Sequence, residues 1–331
     1  MEDALPPRPK GRGFRAYKRM IAEILGQAEA VVFLQASITN PKKTPFLFVG
    51  DSGVGRKFAA RCFVRELFCT GTKQSSCKCL HCTQIRANTH PDLVVLEDTG
   101  IDAIRNVIEV AASFPSISKQ KFFILDAVDC LSVAAANAFL KLLEEPPQTA
   151  RFILLANSTK AVLPTIRSRC CIVPFRRLSE EVISTKLRGF SSEEKATTYA
   201  RLAEGSLGRA IQWCGANKLK VRNKALDLLA DCATGDVGRI FSSVDGIQEE
   251  GALGLYFLNA LLRDALAYLS SESVTFLNQD VREKVVEVSK AIRKDRLLAL
   301  WESLSSTIED SNRTKIDIGF HLKSALARTF V

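Results

Sequence analysis

No stretch of the 331-residue chain holds an uninterrupted apolar run of the ~20 residues that crossing a bilayer requires. The opening residues, MEDALPPRPKGRGFR, lack the apolar segment of a secretory signal. The expectation is a cytoplasmic protein whose ten cysteines stay reduced. Acid is in deficit: 36 Asp and Glu face 46 Lys and Arg. The net charge of +10 favours a polyanionic neighbour such as nucleic acid. Histidine is scarce, with three residues. No nucleophile or metal pattern lies near His90, so it is expected to form a turn ahead of Pro91 and Asp92.

What is present is a folded composition, 47% hydrophobic and 25% charged, in a chain too long for one ordinary domain. Its centre is Phe46 to Phe58, FLFVGDSGVGRKF. An apolar run, Phe46 to Val49, predicts a buried strand; Gly50, Gly53 and Gly55 then lead into a helical pattern from Ala59 to Cys69. Strand, glycine-rich loop and helix form the setting of a phosphate-binding loop. That chemistry needs a Lys for the phosphates and a Ser or Thr hydroxyl for Mg²⁺. Arg56 and Lys57 stand there instead. Lys57 removes the hydroxyl and brings a cation to the metal position. At an effective dielectric of ~20, two unit charges ~4 Å apart repel by about 4 kcal/mol, and a divalent ion doubles that. Reading the motif one residue later puts Phe58 at the hydroxyl position, which is no better.

Apolar runs at Leu93–Leu96, Phe122–Leu125, Phe152–Ala156 and Cys171–Phe175 predict four further strands. Helical spacing predicts helices over Ala28–Ala36, Ile101–Ser113, Val133–Glu145 and Ala161–Ile166. Alternation of this kind over residues 40–175 implies a parallel sheet covered on both faces. Asp126 ends its strand where a water-mediated Mg²⁺ partner would sit. The carboxylate that should follow, to orient water, is replaced by Ala127. From Leu178 onward the pattern is helical, over Leu178–Leu187, Glu193–Ala203, Gly208–Trp213, Val221–Cys232, Leu253–Leu269, Val281–Ile292, Arg296–Ile308 and Ile316–Phe330, and carries no catalytic constellation. The basic residues among 1–15 are expected to be a frayed tail, the other reading being an arm on DNA.

Cys69, Cys77, Cys79 and Cys82 fall within one short stretch and predict a tetrahedral Zn²⁺ site. The one-residue gap between Cys77 and Cys79 leaves His81 open as a replacement ligand. Cys62 is expected in the core.

Together these pieces resemble the clamp-loader branch of the AAA+ ATPases. The likeness is carried by Ile24-Leu25-Gly26-Gln27, residues 50–57, the cysteines 69–82, His90-Pro91-Asp92 and Ile101-Asp102-Ala103-Ile104-Arg105. It continues in the block from Ala135 to Pro147, in Ser168-Arg169-Cys170 and in Gly205-Ser206-Leu207-Gly208-Arg209-Ala210. The resemblance implies an AAA+ α/β domain over 1–176 with a zinc module at 69–82. It implies a helical lid over 177–216 and an all-α collar over 217–331.

Within the family, the defects at Arg56, Lys57 and Ala127 resemble the non-hydrolysing delta-prime type, a stator of the DNA polymerase III loader. The degenerate site would comprise Gly50, Gly53, Gly55, Arg56, Lys57 and Asp126, with ATP not bound or not hydrolysed. Arg169 would be an arginine finger serving a neighbouring subunit. Implied partners are the gamma/tau motor subunits, the clamp-opening delta subunit, and, through the complex, the sliding clamp and primed DNA. The motor pattern Gly-Ser-x-Arg is displaced by one residue at Arg209. An active gamma/tau-type ATPase is the alternative. A free-standing zinc-dependent nucleic-acid binder is the other, though basic and aromatic residues do not interleave near the cysteines.

Overall fold

A computed structural model describes residues 20–39, 44–271, 274–311 and 318–330. The basic residues among 1–15 lie outside the described residues. The chain forms two compact units. One holds residues up to Asp51 together with Gly55–Arg176; the other holds Ser52–Val54 and everything from Arg177 onward.

The first unit is built on five parallel strands: β1 (Phe46–Val49), β2 (Leu93–Leu96), β3 (Lys121–Leu125), β4 (Ala150–Ala156) and β5 (Cys171–Pro174). Their order is β2-β3-β4-β1-β5. Phe46 lies opposite both Ile153 and Cys171, and Leu93 opposite Phe122. Parallel strands need cover on both faces, which is why they are continuously apolar rather than alternating. The cover comes from α1 (Ala28–Thr39), α2 (Arg56–Phe68), α3 (Leu80–Ala87), α4 (Ile101–Ala112), α5 (Val133–Glu144) and the short α6 (Pro164–Arg167). Phe123, Leu125, Phe152 and Leu154 meet Ile104 and Val107 of α4 and Phe139 of α5 on one face. On the other, Phe46 packs edge-on against Phe33 of α1 and Phe63 of α2, with ring centres 5.5 and 5.6 Å apart.

The expected five strands are all present. Two differences from the expected helices have local reasons. Helix α2 begins at Arg56, ahead of the apolar spacing, because Gly55 turns the chain in a left-handed conformation at its N-cap. Helix α3 was not expected, since its residues were accounted for as metal ligands; Cys82 and Ile85 are its buried anchors.

His90 and Asp92 do more than make a turn. The Asp92 carboxylate, fully buried, accepts the N–H groups of Ser116, Ile117 and Ser118 at 2.6, 2.9 and 2.7 Å. Asp92 donates its own N–H to His90 Nδ1 at 3.1 Å. The loop between α4 and β3 is thereby pinned to the entry of β2. At the other end of the sheet, Gln27 exchanges hydrogen bonds with the backbone of Arg176 at 2.7 and 2.9 Å, tying the start of α1 to the exit of β5.

The second unit shows nine helices among its described residues. They are α7 (Glu180–Leu187), α8 (Glu193–Leu202), α9 (Leu207–Gly215), α10 (Leu219–Thr234), α11 (Val237–Gln248), α12 (Ala252–Ser270), α13 (Arg282–Ala291), α14 (Lys294–Ser311) and α15 (Ile318–Phe330). Ser179, Ser206 and Asp236 cap α7, α9 and α11 with their side chains. Helix α11 escaped the periodicity because Gly238 and Gly246 dilute it. By length and mean hydropathy α12 passes as apolar enough to cross a membrane, although Asn259, Arg263 and Asp264 interrupt it, and half of its most apolar window is buried in the fold. Its Asp264 is buried and accepts the N–H groups of Leu277 and Asn278 at 2.9 and 2.7 Å.

Burial raises the Asp92 carboxyl, but the three N–H donors outweigh it, so the group sits below the ordinary carboxylate range. A folded-state value below the unfolded one adds stability that is complete above the unfolded value near ~3.9 and is lost as pH falls through the folded value. Asp92→Asn is expected to cost about 3 kcal/mol in urea unfolding at neutral pH. Wild type and variant should converge on acidification below about pH 4; a constant gap across that range would refute the assignment.

Candidate functional site

Strand β1 delivers the chain to Gly50, where a Cβ would come within 2.2 Å of the Phe175 carbonyl oxygen. Gly53 and Gly55 follow with φ of 79° and 102°, a left-handed curl that side chains resist. Gly55 makes no side-chain cap, so the first N–H groups of α2 are left for another acceptor. The loop has the backbone of an anion cradle.

Its side chains have been rewired. Arg56 is 8% exposed and donates from Nη2 to Asn157 Oδ1 at 2.9 Å, while its Nη1 is buried without a partner. Burial lowers its affinity for a proton, and Asp126, Asp129 and Asp51 oppose that. Lys57 hydrogen-bonds the Glu97 carboxylate and stands 3.6 Å from Asp126 Oδ2. The strand-end acid is thus paired with an ammonium of the same chain. The other Asp126 oxygen accepts the Ala127 N–H at 2.9 Å. Ala127 itself has φ of 51° and carries no group that could orient water. Asp129 accepts the Asn157 N–H at 2.9 Å, so Asp129, Asn157 and Arg56 form one chain of polar contacts.

Glu97 and Asn157 were not among the expected site residues. Asn157 directly follows β4, and polar residues just beyond the carboxyl ends of parallel strands line the ligand crevice of such sheets. Glu97 stands in the same relation to β2.

In the second unit, the Ser52 carbonyl accepts the Ser206 hydroxyl at 2.9 Å, and the Gly53 carbonyl accepts the Gly208 N–H at 2.9 Å. A Cβ on Gly208 would lie 3.0 Å from Gly53 Cα. Gly208 stands where the motor pattern carries arginine, and its bare backbone allows this approach. Arg209, the next residue, lies over the Tyr256 ring at 5.4 Å with its Nε buried and unpaired.

Arg169 follows the end of α6. Its Nη1 donates to the Thr165 carbonyl at 2.8 Å and its Nη2 pairs with the Glu144 carboxylate at the end of α5. The side chain is about one-third exposed, at 35%. Arg169 and Arg56 therefore occupy separate places in the first unit, with different partners.

The four cysteines converge. One sulfur from each of Cys69, Cys77, Cys79 and Cys82 lies within 4.8 Å of all the others. Cys69 Sγ is 3.5 Å from Cys77 Sγ and 3.9 Å from Cys79 Sγ. A tetrahedral ion with Zn–S bonds of ~2.3 Å spaces its sulfurs by about 3.8 Å, so the cluster has the dimensions of a closed metal shell. A Cβ on Gly71 would come within 2.7 Å of Cys77 Sγ, so glycine is needed for the approach. Backbone N–H groups, that of Cys79 first, pull the Cys77 thiol down to about 6, while burial pushes Cys82 up. Four crowded sulfurs can ionise together only beside a cation. His81 is not in the cluster; its Nδ1 lies 2.9 Å from His90 Nε2 and the two rings stack. Cys62 is buried in α2, as expected.

Comparison with known proteins bears on this arrangement. Residues 26–179 match the family model for "DNA polymerase III, delta subunit". The chain is 27% identical to DNA polymerase III subunit tau of Bacillus subtilis over 67% of its own length and 37% of that protein. It is 31% identical to DNA polymerase III subunit delta' of Haemophilus influenzae over 50% of its own length and 52% of that protein. The chain thus spans about half or less of these relatives. Among solved structures, a DNA polymerase III gamma subunit-related protein of Thermotoga maritima aligns with a TM-score of 0.45 at 19% identity, over 81% of this chain and 99% of that one. Over residues 26–179 the chain is thus similar to the DNA polymerase III delta-subunit family and to subunits tau and delta' of that polymerase.

Proposed function

We propose that this chain is a non-hydrolysing stator of the delta-prime type within a clamp loader. The observation that carries the reading is the Lys57 ammonium, which lies against Asp126 and Glu97 where a catalytic site would hold Mg²⁺. A hydroxyl ligand is absent, the water-orienting acid is Ala127, and Arg56 is committed to Asn157. These features reinforce one another, because a site that cannot hold metal gains nothing from an acid that positions water.

Arg169 would act outside this chain, on the phosphoryl group held by an adjacent gamma/tau motor subunit. Its one-third exposure and its place at a helix end allow it to reach a neighbour after giving up Glu144. The delta subunit would flank the assembly, and the clamp and primed DNA would be engaged by the complex as a whole. In the three-part division, residues 177–216 are the lid and 217–331 the collar through which subunits assemble.

A second reading is an active gamma/tau-type motor. It is favoured by the tau relative, which aligns over more of this chain than the delta' relative does. The two readings part on ATP hydrolysis, stimulated by DNA and clamp, in the reconstituted loader. With this subunit alone altered, Arg169→Ala is expected to slow the neighbouring site by on the order of 10³-fold, and Arg56→Ala to leave turnover near wild type. The reverse pattern restores the motor.

The cysteine cluster is a structural zinc site in this proposal, closing the segment between α2 and α3. One zinc per chain is expected after purification under reducing conditions. Cys79→Ser should release it and lower the melting temperature by roughly 5–10 °C, without altering the Arg169 contribution. A metal-free wild-type chain would sink the assignment.

A further inference from the structure

The first unit contains a cavity of about 500 Å³ beneath the amino-terminal edge of the sheet, at the opposite ends of the strands from the glycine-rich loop. Phe46, Phe122 and Ile153 of the sheet and Phe63 and Phe68 of α2 give it apolar walls. Its size lies in the range of sites that enclose a ligand. The ionisable groups that line it are Lys119, Arg151, Cys69 and His81; among the described residues no aspartate or glutamate does.

Arg151 is the informative group. Its Nη1 donates to the carbonyls of Gln148 and Ala150 at 3.0 and 2.7 Å, which fixes the guanidinium. Its Nε and Nη2 have no partner among the described residues, and no described carboxylate pairs with it. Those two donors form the edge of the fork that a carboxylate takes up side-on. Burial already lowers the proton affinity of this guanidinium, a sign that it lies partly out of water. An uncompensated cation beside aromatic walls is costly unless something supplies the opposite charge.

The rim is firm. Ile117, 45% exposed, and Ser118 both line the cavity, and both are held by the buried Asp92 carboxylate. Phe114, in the same loop, is 87% exposed. The loop that forms this rim therefore carries exposed apolar side chains, one of which, Ile117, lines the cavity. By sequence, residues 1–19 and 40–43 of this chain are predominantly basic and so do not complement it. Residues 1–19 carry Arg8, Lys10, Arg12, Arg15, Lys18 and Arg19 against Glu2 and Asp3, and residues 40–43 carry Lys42 and Lys43.

We propose that this cavity receives an acidic peptide segment of a partner protein, with an aromatic or leucyl side chain seated against the wall that Phe46, Phe63 and Phe122 form together and an adjacent carboxylate bound by Arg151. Lys119 at the rim adds long-range attraction for the acidic flank. The pinned loop means that little is lost to ordering on binding.

The test uses the full chain and a fluorescein-labelled, end-blocked peptide, Glu-Asp-Phe-Leu-Glu, followed by anisotropy. Wild type is expected to bind it, and Arg151→Gln to weaken binding by at least about tenfold. Replacing Phe and Leu of the peptide by Ala, or its acids by Lys, should weaken binding as much. Arg105→Gln, on the exposed face of α4, should change nothing. Should Arg151→Gln fail to fold, Arg151→Lys keeps the charge but loses the fork, and is expected to bind several-fold more weakly than wild type. A photoreactive benzoyl group on the peptide phenylalanine should mark Phe63, Leu67 or Phe68. The proposal is overturned by no binding up to about 1 mM, by equal affinity for the Lys-substituted peptide, by an unaffected Arg151 variant, or by cross-links elsewhere. None of these outcomes touches the reading of Arg169.

Discussion

A parallel sheet has to be hidden on both faces, and that constraint organises the first unit. Each strand must be followed by a crossover before the next can run in the same direction, so the carboxyl ends of all five strands gather along one edge. Asp126, Asn157, Glu97 and the glycine-rich loop come from separate segments of sequence and meet there because no other place is open to them. The crossovers also leave an opposite edge. There the Asp92 carboxylate fastens the loop entering β3, and aromatic residues of α2 and the sheet leave a space between them.

The strands were readable because burial on both faces forces an unbroken apolar run, which is a strong local signal. Helices facing the sheet were readable by their spacing, Ile104 and Val107 being examples. Helix α3 was hidden because a cysteine serves equally as a buried apolar anchor and as a ligand, and a linear reading assigns it one role. Helix α11 was hidden by glycines that tertiary packing tolerates. The glycine-rich loop and the four cysteines were legible, since each depends on residue types at fixed short spacing. The Lys57–Asp126–Glu97 contact was not. It joins the first turn of α2 to residues just beyond β2 and β3, and only the topology states that they meet.

The same distinction separates the two histidines. His81 was adjacent in sequence to the thiols and looked available to them. In the fold it pairs with His90, and both rings lie near Phe68. A side chain's neighbours in sequence propose its partners, while its position on a helix face disposes of them. His81 and Cys82 are consecutive on α3, so they point about 100° apart.

The ion pair between Arg169 and Glu144 has a consequence for selectivity. An arginine that already has a carboxylate does not respond to every passing anion, because exchanging one single charge for another at an exposed place gains close to nothing. A group bearing several negative charges at once changes that balance. The Glu144 pair therefore raises the charge that any competing anion must bring before this guanidinium gains by leaving its own chain.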